Sequence, residues 1–152
     1  MSGIPILYED NHLLVACKPP NLPTQADRSG DPDLLTLLKA DVKRRYDKPG
    51  AVYLGLVHRL DRPVGGLVVF ARTSKAAARL SAQLRGHDLG RSYLAIVRGA
   101  PPDQARLEDF LVKDGATNTV RVTGADTPQA KQAILSHRCL ARAESLALLE
   151  VT

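Results

Sequence analysis

The chain has 152 residues with a formal net charge of +5, and 44% of its residues are hydrophobic. This composition is typical of a folded globular domain and excludes a disordered chain. No apolar run approaches the roughly 20 residues of a membrane span, and the first residues lack the features of a secretory signal. We therefore expect a cytoplasmic protein that contacts no membrane and keeps Cys17 and Cys139 as reduced thiols.

Apolar runs predict strands at nine places along the chain. They lie at 4–8, 13–17, 53–57, 67–71, 92–98, 107–112, 119–122, 130–140 and 145–152. A proline-rich loop is predicted at 18–32. A first helix is predicted to begin with Asp31 as its N-cap and Pro32 at its first position. A second is predicted with Thr73 or Ser74 as its N-cap.

These elements predict a mixed α/β (α+β) fold with two helices and a mainly antiparallel sheet. The last run, 145–152, has a strand pattern with no turn or polar tail after it, whereas natural chain ends are usually polar. We therefore expect a single domain over 1–152 that lacks its C-terminal part. A final strand left at a sheet edge would be a liability for solubility.

The positive charge is concentrated in one quarter of the chain. Residues 58–98 hold eight basic and two acidic side chains, a net +6, while the remaining residues sum to −1. Arginines outnumber lysines by 14 to 7, which favours planar recognition of phosphates. A localised basic region is typical of a nucleic-acid binder, and contacts with phosphates are expected from Arg72, Lys75, Arg79 and Arg85. A solvated basic face without a partner is the alternative.

The basic region contains one conspicuous carboxylate. Asp61 is flanked by Arg59 and Arg62 in a loop between two apolar runs, and nearby cations favour the ionised form of a carboxylate. An ionised carboxylate suits a nucleophile or a charge stabiliser better than a general acid. Gly65 and Gly66 permit positive φ and close approach of another backbone. A structural Asp–Arg pair that braces the loop remains the alternative.

The segment around Asp61 resembles the signature of the RluA-type pseudouridine synthases. HRLDR at 58–62 is followed by Gly66-Leu67, an apolar strand and Arg72-Thr73. The opening ILYEDNHLLVACKPPNLPTQ at 6–25 resembles the family's first hairpin and its Lys-Pro loop. RSYLA at 91–95 resembles a later strand of the family. The likeness covers most of residues 4–99 in the family's order.

The resemblance implies an enzyme that isomerises uridines of structured ribosomal or transfer RNA without a cofactor. Asp61 would be the catalytic aspartate, Arg59 would fill the gap left by the flipped uridine, and Tyr93 would stack on the base. Base flipping costs a few kcal/mol, and aromatic stacking returns about 1–3 kcal/mol per base. His58, Leu60 and Arg62 complete the expected substrate-binding set. A tyrosine at the core or at a sheet edge is the alternative for Tyr93.

The sequence departs from the family's pattern in two places. Val64-Gly65 stands where the family commonly has a serine before the glycine. The family's last motif, TGR-x-H-Q-I/L-R, is absent; its basic side chain is expected to pair with the catalytic aspartate. A non-catalytic RNA-binding protein or fragment is therefore the second hypothesis, and a 152-residue chain is expected to show little activity.

Other chemistries have weaker support. The four histidines show no metal-ligand spacing, so no metal is expected. No phosphate-binding glycine loop is present. Glu108 or Asp109 could pair with Asp61 as in a glycosidase, although a role on a turn or strand surface is favoured for both. We expect a monomer.

Overall fold

The computed structural model describes residues 3–117 and 119–152. The chain forms two compact units, Met1–Leu89 and Gly90–Thr152. The prediction of one domain over 1–152 stays a prediction. Cys17 and Cys139 are free thiols, and among the described residues no helix is long and apolar enough to cross a membrane.

The first unit contains four strands and two helices. In chain order they are β1 (Ile6–Glu9), β2 (Leu13–Lys18), α1 (Leu34–Arg45), β3 (Gly55–Leu56), β4 (Gly66–Ala71) and α2 (Ser74–Arg85). The sheet order is β1-β2-β4-β3, and every pair is antiparallel. The strand predicted at 53–57 is reduced to two residues, and the chain then enters the loop that carries Asp61.

The core of the first unit lies between α1 and the sheet. Leu34, Leu38 and Val42 recur at helical spacing on α1 and are buried. They belong to one apolar cluster with side chains of β2 and β4, including Leu14, Ala16, Val68 and Phe70. Full burial of such a side chain contributes about 1.5–3 kcal/mol. The helix α1 is therefore packed on the two central strands, β2 and β4, from which the neighbouring loops extend.

The first helix begins later than predicted. Asp33, rather than Asp31, is the N-cap of α1, and its carboxylate accepts a 3.0 Å hydrogen bond from the Thr36 amide. The carboxylate of Asp31 instead binds the guanidinium of Arg62. The prediction for α2 is confirmed, because the Thr73 hydroxyl accepts a hydrogen bond from the Ala76 amide.

The second unit is an antiparallel sheet of five strands. They are β5 (Tyr93–Arg98), β6 (Gln104–Asp114), β7 (Thr119–Thr123), β8 (Lys131–Ala143) and β9 (Leu146–Val151). Their order is β5-β9-β8-β6-β7. The expectation that the final strand has an unpaired edge is wrong, because β9 pairs with β5 on one side and β8 on the other. The predicted mainly antiparallel α+β fold with two helices is confirmed, but with two sheets.

An ion-pair network ties β1 to α1 and to the end of β4. Glu9 pairs with Arg72 at 2.9 Å and with Arg45 at 2.8 Å. Both guanidinium groups lie over the ring of Tyr46. The Arg72 side chain, only 14% exposed, also donates to the carbonyl of Asp10 at 2.6 Å. Arg72 therefore connects the end of β4 to β1 and to the residue that follows β1. Its charge is paired with Glu9 and is not presented to an external phosphate.

Candidate active site

Five of the six predicted site residues lie on one loop between β3 and β4. His58 begins this segment, and its Nε2 accepts a 3.0 Å hydrogen bond from the backbone amide of Val69 on β4. The imidazole is therefore held against the sheet, with Nε2 as the acceptor nitrogen. Gly66 ends the loop with a φ of +145°, which confirms the expected positive φ. We call residues 58–66 the aspartate loop.

A second segment, residues 18–31, packs against the aspartate loop and braces it. Thr24 reaches across to Leu60: its hydroxyl donates to the Leu60 carbonyl at 2.7 Å and accepts from the Leu60 amide at 3.2 Å. A Cβ on Gly65 would meet the Pro20 ring at 3.3 Å and the Lys18 carbonyl oxygen at 3.4 Å. The close approach expected at Gly65 is thereby confirmed. We call residues 18–31 the bracing segment.

Lys18 is a fully buried cation at the end of β2. Its ammonium donates hydrogen bonds to three carbonyl oxygens: Leu22 at 2.7 Å, Arg62 at 3.1 Å and Pro19 at 3.2 Å. An ammonium has three donors, and all three can be satisfied here. Lys18 therefore links the end of β2 to the residues that directly follow it, Pro19 to Leu22, and also holds the aspartate loop just after Asp61.

Lys18 and Asp61 interact electrostatically. Burial lowers the pKa of the Lys18 ammonium, while the negative charge of Asp61 acts in the opposite direction and raises it. Within residues 3–117 and 119–152 the Asp61 carboxylate forms no ion pair or hydrogen bond, and the residue is exposed. The loop therefore presents an accessible carboxylate in the field of a buried ammonium.

Arg62 does not form the ion pair with Asp61 that its place beside Asp61 in the sequence suggested. Its guanidinium binds Asp31, lies 3.9 Å from Asp27 and donates to the Ser29 hydroxyl at 3.2 Å. The hydrogen bond and charge of Arg62 lower the pKa of Asp31. Arg62 thus connects the aspartate loop to the bracing segment, and its predicted contact with substrate stays a prediction.

The two remaining predicted site residues, Arg59 and Tyr93, are exposed. Arg59 precedes Leu60 on the aspartate loop. Tyr93 begins β5 in the second unit, and the residue is 41% exposed. An exposed ring can receive a planar group, whereas a core tyrosine could not. The roles assigned to both stay predictions.

Sequence reasoning identified Lys18 only as part of the Lys-Pro loop, without a contact to the aspartate loop, and it missed Thr24. The burial of Lys18 could have been predicted, because Lys18 follows Leu14 and Ala16 at alternate positions of β2, whose side chains point to the core. A lysine at such a position must find buried partners. No such pattern marks Thr24, since its partner Leu60 lies 36 residues away. In the described part of the chain, no three His, Cys, Asp or Glu side chains gather as a metal site.

The fold places the chain in a class of known structures. It superposes on human RNA Pseudouridylate Synthase Domain Containing 4 with a TM-score of 0.79 and 24% identity, covering 96% of this chain and 57% of that one. For human RNA Pseudouridylate Synthase Domain Containing 1 the TM-score is 0.76 at 18% identity, with 99% and 59% covered. At these identities the likeness establishes the fold.

Sequence comparison establishes the family. Residues 12–152 match the RNA pseudouridylate synthase family, and the chain belongs to that family. Ribosomal large subunit pseudouridine synthase D of Zymomonas mobilis is 31% identical over 147 residues, which are 95% of this chain and 46% of that protein. Its Xanthomonas campestris counterpart is 42% identical over 95 residues, covering 62% and 28%. The RluA-type resemblance is confirmed, and the chain spans less than half of these two relatives.

Proposed function

We propose that this chain carries the catalytic aspartate of an RNA pseudouridine synthase. The observation that carries the proposal is Asp61, an accessible carboxylate on a loop braced by Thr24 and Lys18. Family membership supports the reaction class. The relatives named above are ribosomal synthases, which supports structured ribosomal RNA as the substrate, with transfer RNA as the other class. A cytoplasmic monomer fits this role.

The reaction is an isomerisation, so product and substrate contain the same atoms. The bond between C1′ of the ribose and N1 of uracil breaks, and a bond between C1′ and C5 forms. C5 loses its proton and N1 gains one. Asp61 either attacks the substrate or stabilises the positive charge that develops as the glycosidic bond breaks. Neither role requires a net change of oxidation state.

The surrounding residues provide binding and positioning. A uridine inside structured RNA must leave its stack before its C1′ is accessible. In this proposal Arg59, which is exposed, occupies the vacated position, and the exposed ring of Tyr93 stacks on the flipped base. His58 and Leu60 hold the loop from within, through Val69 and Thr24. Lys18 holds the loop just after Asp61 through the carbonyl of Arg62.

The experiment is an Asp61→Asn substitution in the protein expressed from its full reading frame. Pseudouridine formed in bulk RNA is measured by mass spectrometry, and RNA binding is measured in parallel. We expect turnover to vanish while binding persists, because the amide keeps the shape and removes the charge. Asp126→Asn, which removes an exposed carboxylate between β7 and β8, is the matched control. Binding without turnover in the unsubstituted protein would favour the non-catalytic RNA-binding hypothesis instead.

A further inference from the structure

Thr24 makes an unusual two-way contact with the residue that precedes Asp61. The Thr24 residue is 3% exposed, and its hydroxyl both donates to the Leu60 carbonyl at 2.7 Å and accepts from the Leu60 amide at 3.2 Å. A hydroxyl has one proton and two lone pairs, so both bonds can form at once. A single side chain thereby satisfies both backbone polar groups of Leu60.

The contact fixes the direction in which the chain enters Asp61. The Leu60 amide belongs to the peptide group that precedes Leu60, and the Leu60 carbonyl belongs to the peptide group shared with Asp61. Holding both groups restricts the two backbone dihedral angles of Leu60 between them. The Asp61 carboxylate has no hydrogen-bond partner of its own among the described residues, so its position depends on this backbone.

Thr24 is itself fixed by α1. The Thr24 carbonyl accepts a 3.1 Å hydrogen bond from the Leu35 amide, and the Pro23 carbonyl accepts one of 2.9 Å from the Leu34 amide. These amides belong to the first turn of the helix, where backbone donors have no partner within the helix. Leu34 is fully buried in the core cluster. The hydroxyl of Thr24 therefore sits on a rigid support.

We infer that Thr24 is a positioning residue for Asp61, and that its hydroxyl holds the catalytic carboxylate in the geometry needed to act on the flipped uridine. The inference rests on the proposed function of Asp61. Displacing a reacting group by about 1 Å can cost on the order of 100-fold in rate. Loss of the hydroxyl should therefore lower kcat while leaving KM near its original value, because the RNA-binding surface is unchanged.

The test compares Thr24→Val, which keeps the shape and removes the hydroxyl, with Thr24→Ser, which keeps the hydroxyl. In the protein expressed from its full reading frame, we expect Thr24→Val to lower kcat by about 10- to 100-fold and Thr24→Ser to retain most of it. Thr123→Val is the matched control, since it removes a hydroxyl bonded to Thr127 at 2.6 Å in the second unit. It should leave kcat unchanged.

A second measurement works without turnover. Hydrogen exchange of the Leu60 amide, followed by NMR in the same protein, should accelerate up to about tenfold in Thr24→Val, as for an amide released from a hydrogen bond. Unchanged exchange, or faster exchange with unchanged kcat, would overturn the positioning role. If the unsubstituted protein forms no pseudouridine, the proposed function fails, and the exchange measurement still decides whether the Thr24 contact exists.

Discussion

The ammonium of Lys18 donates a 3.1 Å hydrogen bond to the carbonyl oxygen of Arg62, a residue 44 positions further along the chain. Arg62 directly follows Asp61, while Thr24 holds Leu60, which directly precedes it. The aspartate is thus bracketed on both sides by side chains of the bracing segment. This arrangement explains how a residue on an exposed loop can have a defined position.

Lys18→Met should destabilise the protein. Methionine has a similar length and is apolar, so it removes the cost of burying a charge, but it leaves three carbonyl oxygens without their donor. An unsatisfied buried polar group costs about 1–3 kcal/mol, and we expect a loss of that order in the free energy of unfolding, measured by urea denaturation. Lys48→Met, at an exposed position, should change it little. Equal stability of the two variants would contradict the bridging role of Lys18.

Most of the fold could be predicted from apolar periodicity. The strands at 13–17, 67–71 and 92–98 and the second helix are within one or two residues of the observed bounds. The motif around Asp61 also indicates the loop that carries it. The division into two sheets and the position of β9 between β5 and β8 do not follow from the sequence pattern, because strand pairing depends on contacts that are distant in the sequence.

The details of the site were harder to predict from the sequence, because they depend on which partner each charged residue binds in the folded protein. Asp31 and Asp33 both satisfy the rule for a helix cap, and only the position of Arg62 shows why Asp31 is used elsewhere. The role of Lys18 depends on contacts of this kind, because the antiparallel pairing of β2 with β4 places it opposite Gly66, where its ammonium reaches the Arg62 carbonyl.

The observed helix cap can be tested directly. Asp33→Ala should lower the free energy of unfolding by about 1 kcal/mol, because the Thr36 amide loses its acceptor. Asp31→Ala removes an exposed ion pair with Arg62, which is worth about 0–1 kcal/mol. Chemical denaturation of both variants gives the comparison. A larger loss of unfolding free energy in Asp31→Ala would indicate that Asp31 is the N-cap, as expected from the sequence.

Asp10 gives a pH dependence whose sign follows from its contacts. The backbone amides of His12 and Leu13 and the hydroxyl of Tyr8 donate to its carboxylate, and they lower its pKa below 3.8. The stabilising contribution is complete above the unfolded-state pKa and is lost as the pH falls through the folded-state value. The stability difference between the unsubstituted protein and Asp10→Asn should therefore shrink in acid. Thermal unfolding of both at several pH values measures it, and a difference that grows in acid would contradict the assignment.

The basic face of α2 should determine how RNA binding responds to salt. Lys75 and Arg79 are exposed and lie one helical turn apart, so they can contact adjacent phosphates. Each phosphate contact removed should reduce the slope of log K against log salt by about 0.7–0.9. We expect the double variant Lys75→Gln, Arg79→Gln to reduce the slope by about twice that amount, measured by fluorescence anisotropy on labelled RNA. Arg85→Gln, in the last turn, should act as a single contact.

Arg72→Gln is the control for this measurement, because it removes the same charge from a different setting. Arg72 is bound by Glu9 and by the carbonyl of Asp10, so its loss should lower the thermal stability and leave the slope unchanged. The comparison separates a charge that meets RNA from one that holds the first unit together. If the slope is unchanged in the double variant, the α2 face is only solvated. RNA must then be bound by other basic residues of 58–98, with Arg59 and Arg91 the next to replace.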